Sequence, residues 1–368
     1  MPIAFIANRI FTGTQWLHSH AVVCVNSMIS GLIAVNELPQ DIEREMFPDC
    51  FIVPAFIDLQ IYGAYGKLLS VYPEKDSLVK LKEYSEKGGA AFCLPTVATN
   101  TIDVFYKCID AVKEYWSKEG EGIIGLHLEG PWINPLKRGA HIESLIHPPT
   151  IQEVTELLNY GKGVIKMITL APELCSQDVI ELILSHQIVI SAGHSNATYA
   201  EAKTGFANGI TAVTHLYNAM SPLQHRQPGL VGAAMDDLTV MASIIPDGHH
   251  VDFSAIRIAK QVMKERLFVI TDAVTETTEG PYQHLMTGDK YEADTILSGS
   301  ALTMIKAMEN LVNFTGIELG EALRMCSGYP AKIIGLKEQG KIEKGCLARM
   351  LVIDDKTEPG QYRVKQML

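Results

Sequence analysis

"GLHLEGPWINPLKRGAH", residues 125–141, decides how the chain is read. It begins as an apolar run of the kind expected for a strand covered on both faces. The run ends on His127, Leu128 and Glu129, and Gly130 and Pro131 stop it at once. A histidine and a carboxylate at that point are either isolated polar groups or parts of a site assembled from several strand ends. The segments on either side must decide.

Seven further runs resemble this one: "CFIVPAFIDL", "GAAFCLPT", "VIKMITLAP", "QIVISAGH", "ITAVTH", "TVMASIIPD" and "RLFVITDA". Between most of them lie helical stretches such as "TIDVFYKCIDAVKEYWSKEG", "TIQEVTELLNYG" and "YAEAKTGFANG". Apolar strands alternating with helices predict a parallel sheet, and eight strands suit a closed (β/α)8 barrel. Several runs end on reactive side chains: Gln60 and Tyr62, His127 and Glu129, His194, His215, Asp247 with His249 and His250, and Asp272. In a barrel these would face one mouth at the C-terminal strand ends. A doubly wound open sheet, the alternative, would gather ligand groups at one switch point instead.

The two ends of the chain read differently. Short strands with turn signals fill the first fifty residues, and "GKIEKGCLARMLVID" and "GQYRVKQML" resemble them. The expected organisation is α/β: residues 53–335 as the barrel, with residues 1–52 and 336–368 forming a small β-sandwich from both termini.

The 368 residues are 47% hydrophobic and carry a net charge of -11, which supports a large core and disfavours nucleic acid or a membrane surface as partner. The seven cysteines include no CxxC pair, and no secretory signal or membrane span is seen. A cytoplasmic protein is expected.

Glu129, His194 and His215 together offer a carboxylate and two imidazoles, which suit a borderline divalent ion such as Zn²⁺ with one position left for water. Such an ion would lower the pKa of that water towards neutrality. Asp272 could take the water's proton and deliver it to a leaving amine. Each residue alone has a plainer reading. A histidine at a strand end is more often a hydrogen-bonded structural group, and Glu129 or Asp272 could cap a helix. Their joint placement on four strand ends favours the chemical reading. His225 and Arg226 in "SPLQHRQPGLVG", with His249 and His250 in "PDGHHV", could grip an anion; alone they would pass for a solvated surface pair. Asn218 in "YNAM" offers an amide suited to sugar hydroxyls.

"GLHLEGPW" with "KRGAH", "SAGHSNATY", "THLYNAM", "RQPGLVGAA", "DGHHV", "VITDA" and "SGSALTM" resemble the N-acetylglucosamine-6-phosphate deacetylase family of the amidohydrolase superfamily, from about Pro54 to Met304. The resemblance implies Glu129, His194 and His215 as ligands of one divalent metal ion per chain, with Zn²⁺ expected. It implies Asp272 as general base and acid, and His141 beside Ala140 as the group that polarises the amide carbonyl. Asn218 and Ala219 would contact the sugar. Arg226 and His250 would grip the phosphate, with Asp247, Gly248 and His249 beside them. Leu302, Thr303 and Met304 would close over the sugar. A homodimer is implied, with Arg226 reaching into the neighbouring subunit.

Superfamily members with two metals carry HxH after the first strand, where this chain has Gln60 and Tyr62. Neither is a good zinc ligand beside imidazoles, so one ion is expected. Arg349 is unusual in its segment and has no assigned role. Two rival readings stay open. One is another amidohydrolase, an N-acyl-amino-acid deacylase or a cyclic-amide hydrolase. The other is a non-catalytic scaffold, which would be expected to have lost a metal ligand or the base, whereas all four residues are present here.

Overall fold

The apolar runs do become strands, and they line up in chain order. The computed structural model describes residues 1–118, 120–293, 296–354 and 360–368. The 336–368 segment is thus described except for 355–359, and the 272–298 segment except for 294 and 295. Eight strands form one all-parallel sheet: Phe56–Ile61, Ala90–Ala98, Leu126–Glu129, Ile165–Leu170, Val189–Ala192, Ala212–Val213, Met241–Ile244 and Leu267–Val269. We number these the first to the eighth barrel strand.

The seam between the first and eighth strands closes through side chains as well as backbone. Asp272 N donates to Gln60 O at 2.9 Å and Tyr62 N to Ala273 O at 2.9 Å. Buried Asp58 accepts from Thr271 N at 3.1 Å and from the Thr271 hydroxyl. The predicted (β/α)8 barrel is the observed architecture.

Helices cover the sheet where the sequence has a 3.6-residue apolar period. Ile102–Ser117 buries Phe105, Cys108, Ile109, Ala111, Val112 and Tyr115 on one face. Tyr199–Ala207 begins with a capping box: Glu201 N donates to Thr198 Oγ1 at 3.3 Å, and Thr198 N to Glu201 Oε2 at 2.8 Å. The segment "GLVGAAMD" is also a helix, Gly229–Asp236, fully enough buried to hide any amphipathic signal.

Both chain ends build the small domain. Its seven-stranded sheet runs Arg363–Met367, Met350–Asp354, Glu43–Pro54, Ile3–Phe11, His20–Val25 and Met28–Ala34, with Trp16–His18 added beside Ile3–Phe11. Alternation sorts its side chains. Phe51, Val53, Leu351 and Ile353 belong to the barrel's core, whereas Cys50, Ile52, Met350 and Val352 belong to a second cluster with Ile342 and Cys346. Each of the larger apolar side chains contributes about 1.5–3 kcal/mol by burial, so the sheet is seated firmly on the barrel. Arg349 pairs with Glu121 across this junction. Both are solvent-exposed enough for the pair to contribute little. No helix among the described residues is long and apolar enough to cross a membrane.

Candidate active site

Glu129, His194, His215 and Asp272 end the third, fifth, sixth and eighth strands or directly follow them, and all four line one cavity of about 340 Å³. The last three have left-handed backbones, with φ of 46°, 34° and 54°. Such conformations cost on the order of 1–3 kcal/mol each and persist only where surroundings impose them. Here each turns the chain sharply at a strand end.

The surrounding motif residues supply that support. Glu173 accepts from the Ser195 hydroxyl at 2.7 Å and Asn196 N at 2.6 Å, which pins the turn after His194. Asn134 N donates to His194 O at 2.8 Å. His215 N donates to Ser243 Oγ at 2.8 Å.

Glu129 lies at the centre. His215 Nε2 is 3.1 Å and His194 Nε2 3.3 Å from its Oε1, and the two imidazole nitrogens are 3.1 Å apart. Burial pushes the Glu129 carboxyl up, but the imidazoles around it hold it well below the usual range. His194 donates its Nδ1 hydrogen to Lys137 O at 2.9 Å, which leaves the Nε2 lone pair facing Glu129. His215 Nδ1 is buried without a partner, so only Nε2 engages polar groups. Ligands 2.0–2.1 Å from a tetrahedral zinc lie about 3.3 Å from one another. The observed spacing of these three atoms matches that figure, so the residues fit a divalent ion.

Distance also groups His141 with Glu129 and His194. Hydrogen bonding separates it from them. Thr99 N donates to His141 Nδ1 at 3.3 Å, so the ring carries its hydrogen on Nε2, 3.3 Å from Glu129 Oε2. Burial, aided by the charge of His194, pushes its pKa down to about 4. With Nδ1 turned to Thr99, whose hydroxyl is 2.7 Å away, His141 presents Nε2 to the cavity as a neutral imidazole.

Gln60 and Tyr62 fill the remaining side of Glu129. Gln60 Nε2 is 3.1 Å from Glu129 Oε1 and 2.8 Å from Asp272 Oδ1, and the Tyr62 phenol donates to Glu129 Oε2. Burial raises the Asp272 pKa, against the pull of His215 and His250. His250 Nε2 is 3.9 Å from Asp272 Oδ2, while its Nδ1 donates to Asp247 Oδ2 at 2.5 Å.

The other expected residues divide. Ala140, Asn218, Ala219 and His250 line the cavity. Asp247 serves His250 from behind, and Gly248 turns the chain at φ 80°. His249 points elsewhere, to Asp289 Oδ1 at 2.7 Å. His127 does not reach the mouth. It lies one layer deeper, two residues before Glu129 on the same face, between Leu59 O at 3.2 Å and Thr169 Oγ1 at 2.7 Å. Arg226 and His225 are exposed and outside the cavity of their own chain. Leu302, Thr303 and Met304 do not line it either. Thr303 caps the helix Met304–Asn310, and Leu302 and Met304 are buried. Leu297 and Ser298 take that part of the wall. Lys137, Tyr282 and His284 also line the cavity without having been singled out. Lys137 carried a usable signal, since it lies within "NPLKRGAH".

A model of the amidohydrolase family matches residues 51–366, and one of the NagA composite domain matches residues 3–46. The chain belongs to the amidohydrolase family. N-acetylglucosamine-6-phosphate deacetylase of Haemophilus influenzae is 32% identical over 364 residues, 96% of this chain and 95% of that protein. N-acetylgalactosamine-6-phosphate deacetylase of Escherichia coli O157:H7 is 29% identical, over 95% of this chain and 94% of its own. The crystal structure of N-acetylglucosamine-6-phosphate deacetylase from Pasteurella multocida superposes with a TM-score of 0.93 at 31% identity, covering 100% of this chain and 98% of that one. Amidohydrolases use metal, and the buried Glu129 cluster is where this member would hold it.

Proposed function

We propose that this protein hydrolyses N-acetylglucosamine 6-phosphate to glucosamine 6-phosphate and acetate, as an enzyme of amino-sugar breakdown. The observation that carries the reading is the convergence of Glu129, His194 and His215 opposite Asp272, with the Nε2–H of His141 on the same cavity. Relatives with this activity span nearly the whole chain.

Glu129, His194 and His215 would hold one divalent ion, with Zn²⁺ the best match to the donor set. When bound, it supplies a Lewis acid and lowers the pKa of a water. His141 donates its Nε2–H to the amide carbonyl oxygen, where negative charge develops as water adds to the carbon. Asp272 takes the water proton. Its raised pKa suits that task, and Gln60 holds one of its oxygens in place. Asp272 then passes the proton to the nitrogen as the C–N bond breaks, and acetate and the free amine leave. Asn218 and Ala219 face the sugar.

The phosphate needs positive charge in an acidic chain. Lys137 is the only lysine or arginine lining the cavity among the described residues. Arg226, exposed outside its own cavity, fits a role in a neighbouring copy, so we assign a homodimer. All seven cysteines are free, which suits a reducing cytoplasm. Amine release from N-acetylglucosamine 6-phosphate, N-acetylgalactosamine 6-phosphate and unphosphorylated N-acetylglucosamine tests the assignment. Preference for the first substrate supports it. Preference for the galactose epimer corrects the sugar, and equal action with and without phosphate sinks the sugar-phosphate reading.

A further inference from the structure

The lining of the cavity is chemically divided. Lys137, Asn218 and His250 are polar, as are Ser70, His284 and Ser298. Leu68, Ala98 and Tyr282, which also line it, form a separate buried apolar cluster, with Tyr62 and Ile142 packed against it.

This cluster adjoins the reacting centre by three routes. Ala98 precedes Thr99, whose N–H fixes His141. Ile142 follows His141 in the chain. Tyr62 donates to Glu129. The Tyr282 ring is held as well, because its hydroxyl donates to Thr99 O at 2.5 Å. An amide carbonyl carries two substituents. The amine side, rich in hydroxyls and bearing an anion, belongs with the polar groups, where it finds partners. The alkyl of the acyl group then falls against the apolar cluster.

We infer that Leu68, Ala98 and Tyr282 form the acyl pocket of this site, and that the Tyr282 ring sets the longest N-acyl chain it accepts. The inference rests on the amide-hydrolase reading given above. A chain longer than a methyl that runs against this cluster would press on the ring tied to Thr99, or on Leu68, and close-packed neighbours resist such insertion.

The test is kcat/KM for N-acetyl- and N-propionylglucosamine 6-phosphate, measured on the wild type, Tyr282→Ala, Leu68→Ala and Tyr282→Phe. One methylene changes selectivity by roughly 10- to 200-fold. The wild type is expected to prefer the acetyl substrate by a factor in that range. Tyr282→Ala and Leu68→Ala should each cut the preference by about tenfold or more. Tyr282→Phe keeps the ring and should keep the preference, even if loss of the Thr99 bond slows both substrates. If Tyr282→Ala does not fold, Leu68→Ala decides. A wild type that takes both substrates equally, or folded enlarged variants with the wild-type ratio, would overturn the acyl pocket alone. Failure of the wild type on both substrates would instead overturn the hydrolase reading beneath it.

Discussion

Gln60 Nε2 lies 2.8 Å from Asp272 Oδ1, joining the first barrel strand to the acid that follows the last. The same nitrogen is 3.1 Å from Glu129 Oε1. It is also 2.8 Å from the Tyr62 hydroxyl, so three acceptors share its two hydrogens and tie both carboxylates to the first strand. With Tyr62 on Glu129 Oε2, protein donors occupy the side of Glu129 where a second ion would need ligands. One firmly held divalent ion per chain is expected. Elemental analysis of protein purified without added metal checks this, and two tightly bound equivalents would contradict it.

Asp272→Asn should keep the fold, because the amide can still receive the Gln60 hydrogen bond through its oxygen. It cannot take a proton from water. A fall in kcat of roughly a hundredfold to ten-thousandfold is expected, the usual worth of a positioned acid or base. Steady-state kinetics on metal-replete protein checks it. Near-normal turnover would move the base elsewhere.

The fold is largely legible in the sequence, and so is the convergence of Glu129, His194, His215 and Asp272 on one cavity, for a physical reason. Glu129, His194, His215 and Asp272 interrupt apolar runs, and a buried charge at a strand end needs a cause. The rim was less legible. Period-2 and period-3.6 patterns say nothing about the course of a loop, so Lys137, Tyr282 and His284 went unnoticed. Leu302, Thr303 and Met304 fit a motif, yet the helix starting at Met304 takes Thr303 as its cap and buries its neighbours. His127 misled because strand alternation puts it on the same inward face as Glu129, but one layer below the mouth.

Arg226 tests the phosphate grip. A charge-assisted hydrogen bond contributes about 1.5–3 kcal/mol, or roughly one to two powers of ten in kcat/KM. Arg226→Ala should lose that factor on N-acetylglucosamine 6-phosphate and change action on unphosphorylated N-acetylglucosamine little. Equal losses on both would assign Arg226 to the fold or the subunit contact.

Asp58 ties pH to stability at the barrel seam. Burial raises its pKa to about 7, although Thr271 and the Gln60 backbone donate to it. An acid with a raised folded pKa binds its proton more tightly folded than unfolded. Stability from this group is full below the unfolded value near 4 and falls as pH rises through about 7. Asp58→Asn keeps an acceptor for both N–H groups and has no charge to bury. The melting temperature of the wild type should therefore drop relative to Asp58→Asn between pH 5 and pH 8. A difference that stays constant across that range would place the Asp58 pKa near its ordinary value.

The central claim is that Glu129, His194 and His215 hold the ion on which amide hydrolysis of a sugar phosphate depends. Its most direct test is acetate release from N-acetylglucosamine 6-phosphate, followed before chelation, after chelation and after Zn²⁺ is restored. The expected result is release that stops with the chelator, while circular dichroism stays unchanged, and returns with the metal. Release that continues at full rate in metal-free protein, or no release from fully loaded protein, would contradict it.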